Sequence, residues 1–425
     1  MSETSGTLPS APSARGPWMR ASRATGLLRD EQAQATIFAR MSALAASTGA
    51  ANLGQGFPDT DPPEPVAEAA VAAIRGGVNQ YPPGRGEAVL REAIAAHQRR
   101  RYGLPWDPDT EVLVTTGATE ALAATLLALL EPGDEVLTLE PFYDQYAAMI
   151  ALAGGVHRTV PIAITDDGAG TLELDVDPEV LAAAVGPHTR VILLNTPHNP
   201  TGLLLGEGAQ RALLAAAQRH DAVIVTDEVY EHLVFDGFAH RPIAALPGAA
   251  ERTVSISSAG KTFSVTGWKI GWVTARPALL TAVLGVKQWL TFVSGAPFQG
   301  AVAAGLSLPE EELSRIATDL AGRRDLLVGG LREIGFRVSR PSAGYFALAD
   351  PGPFGEHDAA ALAERLPAEA GVVGIPLGAF YRPEAEPVVP VHGPDPRTLL
   401  RLAFCKDRPT IERALEGLES WARDR

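Results

Sequence analysis

Arg190-Val-Ile-Leu-Leu-Asn-Thr-Pro-His-Asn-Pro-Thr-Gly202 opens as an apolar run and breaks at Asn195 into polar, proline-rich sequence closed by glycine. Arg190 to Leu194 has the length and the bounding turn signals of a short strand, apolar enough to be buried on both faces, and the residues after it read as a loop. The same sequence of events recurs twice downstream. Ala222 to Thr226 leads into Asp227-Glu-Val-Tyr230, and Thr253 to Ser257 leads into Ser258-Ala-Gly-Lys-Thr-Phe-Ser-Val-Thr-Gly-Trp-Lys269. Three strand C-termini therefore deliver polar groups. In an open parallel sheet that edge is where ligands bind, so the three loops are expected to converge on one crevice.

Working outward, helical and strand patterns alternate. Gln32 to Ser47, Glu64 to Arg75, Glu87 to Arg101 and Glu120 to Leu130 read as helices. Glu111 to Val114, Glu135 to Leu139 and Ile270 to Thr274 read as further short strands of the same parallel kind. Beyond about residue 305 the pattern changes to a long charged helix, Glu310 to Ile334, short strands at Gly344 to Ala349 and Leu399 to Phe404, and a final helix, Pro409 to Arg423. The expected fold class is α/β: a three-layer large domain with a mostly parallel sheet over 66–304, and a smaller α+β domain over 305–425. Residues 31–65 are expected to join the small domain, and 1–30, rich in Ser, Ala, Pro and Gly, to form a disordered tail. An organelle-targeting peptide would have a similar composition.

The composition narrows the function. With 425 residues, 46% hydrophobic and 20% charged, the chain is globular and long enough for two or three domains. Its net charge of −14 opposes binding to nucleic acid or to anionic lipid, and no apolar run is long enough to span a bilayer. The single cysteine, Cys405, excludes an internal disulfide framework and agrees with a cytoplasmic protein. The nine histidines show no ligand-like spacing. His97, His198, His232 and His240 read as scattered polar residues, and no metal site is expected.

Only four of the 36 basic residues are lysines: Lys261, Lys269, Lys287 and Lys406. An amine forms a Schiff base and a guanidinium does not, which raises the interest of each. Ser258, Lys261 and Lys269, flanked by Gly260 and Gly267, suit a phosphate-bearing ligand held by charge and short donors. The segment lacks the Walker spacing. Gly54, Gly56, Gly84 and Gly86 lack the strand-turn-helix context of a dinucleotide fingerprint.

These three segments, in this order and spacing, resemble the fold-type I aminotransferases that use pyridoxal 5'-phosphate, in the branch holding kynurenine, glutamine, methionine and N-succinyldiaminopimelate aminotransferases. The resemblance runs over about residues 32 to 420. It includes Leu53 to Asp59, Asn79-Gln-Tyr-Pro-Pro-Gly, Thr115-Thr-Gly-Ala-Thr-Glu-Ala, Glu140-Pro-Phe-Tyr-Asp and Arg401-Leu-Ala-Phe-Cys-Lys. It departs where His198 stands in place of a frequent Asn, and where Lys269 stands in place of an Arg found in some members. Neither change removes the polarity or charge required.

The resemblance implies roles. Lys261 carries the cofactor covalently and later serves as the base; Asp227 pairs with the pyridine nitrogen; Asn199 and Tyr230 bond its phenolic oxygen; Tyr143 stacks on the ring. Gly117, Ala118, Thr119, Ser258 and Lys269 form a phosphate cup that Tyr81 completes from a neighbouring subunit, which implies a homodimer with shared active sites. Arg401 takes the substrate α-carboxylate with Gly56 and Asn199, while Phe38, Phe57 and the partner's Phe292 are candidates for the side-chain pocket. The implied activity is a ping-pong transfer of an α-amino group between an amino acid and a 2-oxo acid. A carbon–sulfur β-lyase on the same fold, and a non-catalytic regulator that keeps the fold to sense an amine, are the alternatives.

Overall fold

Seven strands make the larger sheet: β1 (Val112–Thr116), β2 (Glu135–Glu140), β3 (Val156–Pro161), β4 (Thr189–Asn195), β5 (Val223–Asp227), β6 (Thr253–Ser258) and β7 (Ile270–Thr274). Their spatial order is β1-β7-β6-β5-β4-β2-β3. The computed structural model of the chain describes residues 16–29, 32–383 and 394–425. Strands β2 to β6 pair in parallel, whereas β7 runs antiparallel to both β6 and β1. The reading of Ile270 to Thr274 as one more parallel strand is thus corrected. The link from β6 to β7, Ala259 to Lys269, contains only a short helix (Ala259–Thr262) and a single 3-10 turn (Thr266–Trp268). It never crosses a face of the sheet, so the chain returns in the opposite direction.

Period-two alternation explains why both faces are covered. Val191 and Leu193 of β4 face the cluster that includes Leu122 and Leu126 of the Gly117–Leu129 helix and Ile150 of the Gln145–Ala153 helix. Ile192 and Leu194 face the opposite way, onto Leu213 and Ala217 of the Glu207–His220 helix. At roughly 1.5–3 kcal/mol for each large apolar side chain buried, this double burial holds the C-terminal edge of the sheet rigid beneath its loops.

The second sheet has six strands, in the order Ile375–Pro376, Leu400–Ala403, Phe346–Asp350, Arg337–Ser339, Thr171–Asp175 and Ala163–Asp166. Its last two strands come from inside the span assigned above to the large domain, and that boundary is corrected accordingly. The 163–175 hairpin crosses over because Ile164 and Leu172 pack with Val338 in the small-domain core. The N-terminal segment enters the same core through Met41 and Leu53, and Ala51–Asn52 pairs in parallel with Val372–Val373.

The expectation of a disordered tail over 1–30 also needs correction. Pro17–Ala24 is a helix whose Met19 is buried and whose Arg20 Nε donates to Ala151 O at 3.3 Å, so it packs along the Gln145–Ala153 helix. Ser, Ala and Arg are acceptable helix formers, and one apolar anchor was enough to dock them. The rest of that span, residues 1–15 and 30, lies outside the described residues. No helix among the described residues is long and apolar enough to cross a membrane.

Candidate active site

The reversal of β7 places the site. A parallel β7 would put Lys269, at its start, on the far edge of the sheet; running antiparallel, it puts Lys269 beside the C-terminal ends of β1 and β6. A cavity of about 230 Å³ opens at that edge, lined by Gly117, Ala118 and Thr119 after β1, Tyr143 after β2, Asn199 after β4, and Asp227 and Tyr230 after β5. Ser258, Lys261 and Lys269 close the remaining side. All of these were singled out from the sequence, and the fold brings them onto one surface.

Gly117 adopts a left-handed φ of +68° that turns the chain from β1 into its helix. Lys269 Nζ donates to Thr119 Oγ1 at 3.0 Å across the turn. Backbone and backbone meet closely here: a Cβ on Gly271 would lie 2.5 Å from Gly117 C, so β7 approaches the turn only as glycine. The first-turn N–H groups, the Ser258 hydroxyl and the Lys269 ammonium give this end of the cavity the character of an anion cup.

Lys261 lies at the opposite wall. Its Nζ donates to Gly56 O at 2.7 Å and sits 5.7 Å and 5.6 Å from the ring centres of Tyr230 and Tyr345. Tyr345 OH donates to Lys261 O, clamping the backbone of the same residue. Burial brings the lysine pKa down from 10.5 to about 8. At pH 8 about half of the amine is then neutral, against roughly 0.3% for an ordinary lysine. Reductive alkylation of Lys261 by a small aldehyde, followed by peptide mapping against pH, should therefore reach half its maximal rate near pH 8. A midpoint above pH 10 would contradict this environment.

Asp227 is buried at the end of β5, where burial raises its pKa from 3.8 to about 6. Tyr146 OH donates to its Oδ2 at 2.7 Å, and Asn195 Nδ2 donates to its backbone carbonyl at 2.9 Å. Both partners escaped the sequence reading. Tyr146 lies in the first turn of the Gln145–Ala153 helix, and a buried tyrosine hydroxyl needs a partner, which was the available signal. Asn195 Oδ1 also accepts from Asn199 N at 2.6 Å, so one side chain fixes the loops after β4 and β5 together. Asp227 caps no helix; residues 229–232 are turns.

Arg401 alternates with Leu400 and Leu402 along its strand, yet it is no more exposed than they are. It is 1% exposed and lies among aromatic rings, 3.8 Å from the centre of Phe346, 4.6 Å from Phe380 and 5.3 Å from Phe38. Nη1 donates to Asn199 Oδ1 at 3.1 Å and Nη2 to Gly54 O at 2.6 Å, while Nε has no partner. No carboxylate among the described residues forms an ion pair with it, and burial brings its pKa down to about 10. A buried, unneutralised guanidinium with donors to spare is a binding site for an anion. Gly56 lies against the same rings, and a Cβ there would come 2.4 Å from Phe346 Cζ.

Six expected residues do not line this cavity: Arg401 and Gly56 adjoin it through Asn199 and Lys261, Phe38 lies against Arg401, and Tyr81, Phe57 and Phe292 stand apart from it. Tyr81 and Phe292 are 81% and 51% exposed and pack edge-on against each other at 5.6 Å. Phe57 is half exposed under Lys406. The histidines are not scattered, and that expectation is corrected: His97 and His232 meet Nε2 to Nε2 at 2.8 Å. Their ring nitrogens and a Glu231 carboxylate oxygen lie within 4.8 Å of one another. Spacing missed the group because its members come from a helix and a loop far apart in sequence. Burial lowers both histidine pKa values, so the rings are neutral. His232 Nδ1 shares a hydrogen bond with Thr262 Oγ1 at 2.9 Å, directly behind Lys261.

A mostly parallel sheet with a half-buried lysine, a buried aspartate and an anion cup at one edge, faced from a second domain by an arginine that forms no ion pair among the described residues, defines a fold-type I transferase of amino groups. The chain belongs to the family described as aminotransferase class I and II, whose model matches residues 48–418. It is 48% identical over 388 residues to a probable N-succinyldiaminopimelate aminotransferase DapC of Mycobacterium tuberculosis, covering 90% of this chain and 95% of that protein. It is 37% identical over 383 residues to a methionine aminotransferase of Escherichia coli, covering 90% and 95%. Among solved structures, N-succinyldiaminopimelate aminotransferase from Mycobacterium tuberculosis superposes with a TM-score of 0.85 at 48% identity, covering 91% of this chain and 97% of that one. The chain is an aminotransferase.

Proposed function

We propose that this aminotransferase works with pyridoxal 5'-phosphate, as a homodimer with shared active sites, and that N-succinyldiaminopimelate is its amino donor. The observation that carries the cofactor is the donor set around one cavity: a half-buried amine with a lowered pKa, a buried carboxylate, and an anion cup of Thr119, Ser258 and Lys269. When bound, the cofactor supplies an aldehyde carbon for an amine and a protonated ring that accepts the electron pair left by a departing proton.

The chain's own groups do the rest. Gly117, Ala118, Thr119, Ser258 and Lys269 would hold the phosphate, and Asp227 would take the ring nitrogen, with Tyr146 keeping its carboxylate aimed. Asn199 and Tyr230 would donate to the phenolic oxygen, and Tyr143 would cover a ring face. Arg401 grips the substrate α-carboxylate beside the Gly56 backbone and Asn199, which fixes the α-hydrogen relative to Lys261. Lys261 Nζ, once its amine is free, would take up and hold the α-proton as the base. Phe38 and Phe57, with the partner's Phe292, border the substrate side chain, and Tyr81 reaches the neighbouring phosphate. The exposed aromatic surface of Tyr81, Trp289 and Phe292 supports a second copy docking there.

The substrate rests on the named relatives. A cytoplasmic setting is supported by the single cysteine, Cys405, which leaves the chain no internal disulfide to form. The test is the visible absorption of the cofactor-loaded protein with N-succinyldiaminopimelate, methionine or kynurenine added singly, without an oxo acid. Loss of the cofactor's long-wavelength absorption with stoichiometric release of the matching 2-oxo acid supports the reading and ranks the donors. A stronger response to methionine or kynurenine would reassign the donor, and pyruvate and ammonia accumulating from a cysteine conjugate, with the absorption intact, would replace transamination by β-elimination.

A further inference from the structure

Lys406 is the buried lysine next to the site that the mechanism above leaves without a task. It lies just beyond the Leu400–Ala403 strand that carries Arg401, and its side chain is 3% exposed. Its Nζ donates to Phe57 O at 2.8 Å and to Asp59 Oδ1 at 3.0 Å, and stands 4.0 Å from the centre of the Phe57 ring. These contacts all fall on the C-terminal end of the Leu53–Asp59 loop, whose Gly56 lies beside Arg401.

The loop is tied down at four further points. Leu53 O accepts from Ala403 N at 2.7 Å, and Gln55 Nε2 donates to Phe38 O and Ser42 Oγ at 3.0 Å and 2.8 Å. Gly54 O accepts from Arg401 and Gly56 O from Lys261 Nζ. The last two ties are made by groups that the chemistry needs elsewhere. Lys261 leaves Gly56 when its amine reacts, and a carboxylate arriving at Arg401 competes for the donors now spent on Gly54. The loop then keeps its N-terminal end through Leu53 and Gln55, and its C-terminal end through Lys406.

Resting on the reading given under Proposed function, we propose that Lys406 is a positioning residue that holds the Leu53–Asp59 loop in register while Lys261 and Arg401 exchange partners, so that Gly56 and Arg401 keep facing one α-carboxylate. An ammonium suits the task because its three donors meet a carbonyl and a carboxylate at once while its charge lies over an aromatic ring. The effect belongs to substrate binding, not to proton transfer.

The experiment compares wild type, Lys406→Met, Lys406→Arg and the milder Asp59→Asn, all loaded with cofactor, by steady-state kinetics with an α-amino acid donor. A single-turnover reaction with a primary amine that lacks a carboxylate serves as internal control. Lys406→Met should raise KM for the amino acid about tenfold or more, as expected for charge-assisted hydrogen bonds lost from a buried site. Asp59→Asn should raise it by about threefold, with kcat in both held within about threefold. Lys406→Arg should recover most of the loss, and the carboxylate-free amine should react at the wild-type rate in every variant. An unmoved KM, or equal losses with amino acid and amine, overturns the role. Should Lys406→Met fail to fold, Asp59→Asn and Lys406→Arg decide the question by the same two readouts. A wild-type protein without transaminase activity would instead remove the underlying reading, an outcome visible before any variant is made.

Discussion

Lys261→Ala should abolish transamination, lowering kcat by roughly 10⁴-fold or more, because it removes the covalent anchor and a base worth about 10²–10⁴ on its own. The fold should survive. Lys261 is one residue in a short turn at the sheet edge, and the apolar residues beneath it, Phe263 and Ala259, belong to a core the substitution leaves intact. Lys261→Arg should give no rescue, since a guanidinium stays protonated across the working range and cannot attack an aldehyde. Steady-state kinetics, with circular dichroism to confirm folding, checks both variants. Turnover by Lys261→Ala within tenfold of wild type would end the assignment of this lysine. Added small amines offer a sharper check: partial recovery of turnover would show that the missing element is an amine and not a contact.

Arg401→Leu should raise KM for amino acids by roughly 10²–10³-fold, the equivalent of the 3–5 kcal/mol typical of a buried charge pair broken on one side. Two opposing terms set its effect on stability. The substitution removes a buried cation with no ion-pair partner among the described residues, which favours the folded state, and it strands two acceptors, Gly54 O and Asn199 Oδ1, which disfavours it. The terms are of similar size, about 1.5–3 kcal/mol per charged hydrogen bond against several for the desolvated ion. The melting temperature should accordingly move by only a few degrees while catalytic efficiency collapses. A large loss of stability with KM preserved would make Arg401 a structural residue. Arg401→Lys should fall between, keeping the charge but losing the fork that meets two carboxylate oxygens at once.

The legible part of the chain was the part whose signals are local. Strands β4, β5 and β6 could be read because each is a short apolar run stopped by polar residues with turn chemistry, and the loops after them held the groups that now line the cavity. The unreadable part depended on partners distant in sequence. Tyr146 looks like any core tyrosine until β5 brings Asp227 to within 2.7 Å of its hydroxyl. His97 and His232 have no spacing in common, yet they share a hydrogen bond. The Pro17–Ala24 helix hides in a composition that reads as disorder, since a single buried methionine docks it.

By itself the sequence determined the class: alternating strands and helices, a lysine in a glycine-flanked loop after one strand, an aspartate after another, and an arginine near the C-terminus, all of them side-chain chemistries that do not depend on where the chain goes. Tertiary structure alone decided three things. It reversed β7 and so carried Lys269 to the edge of the sheet where the cavity opens; it moved the 163–175 hairpin into the second domain; and it buried Arg401 among three aromatic rings with no counter-charge among the described residues. The physical reason is common to all three. Strand direction, sheet membership and the solvation of a charge are set by which surfaces meet, and burial energies large enough to choose among those arrangements arise only when residues far apart in the chain exclude water together.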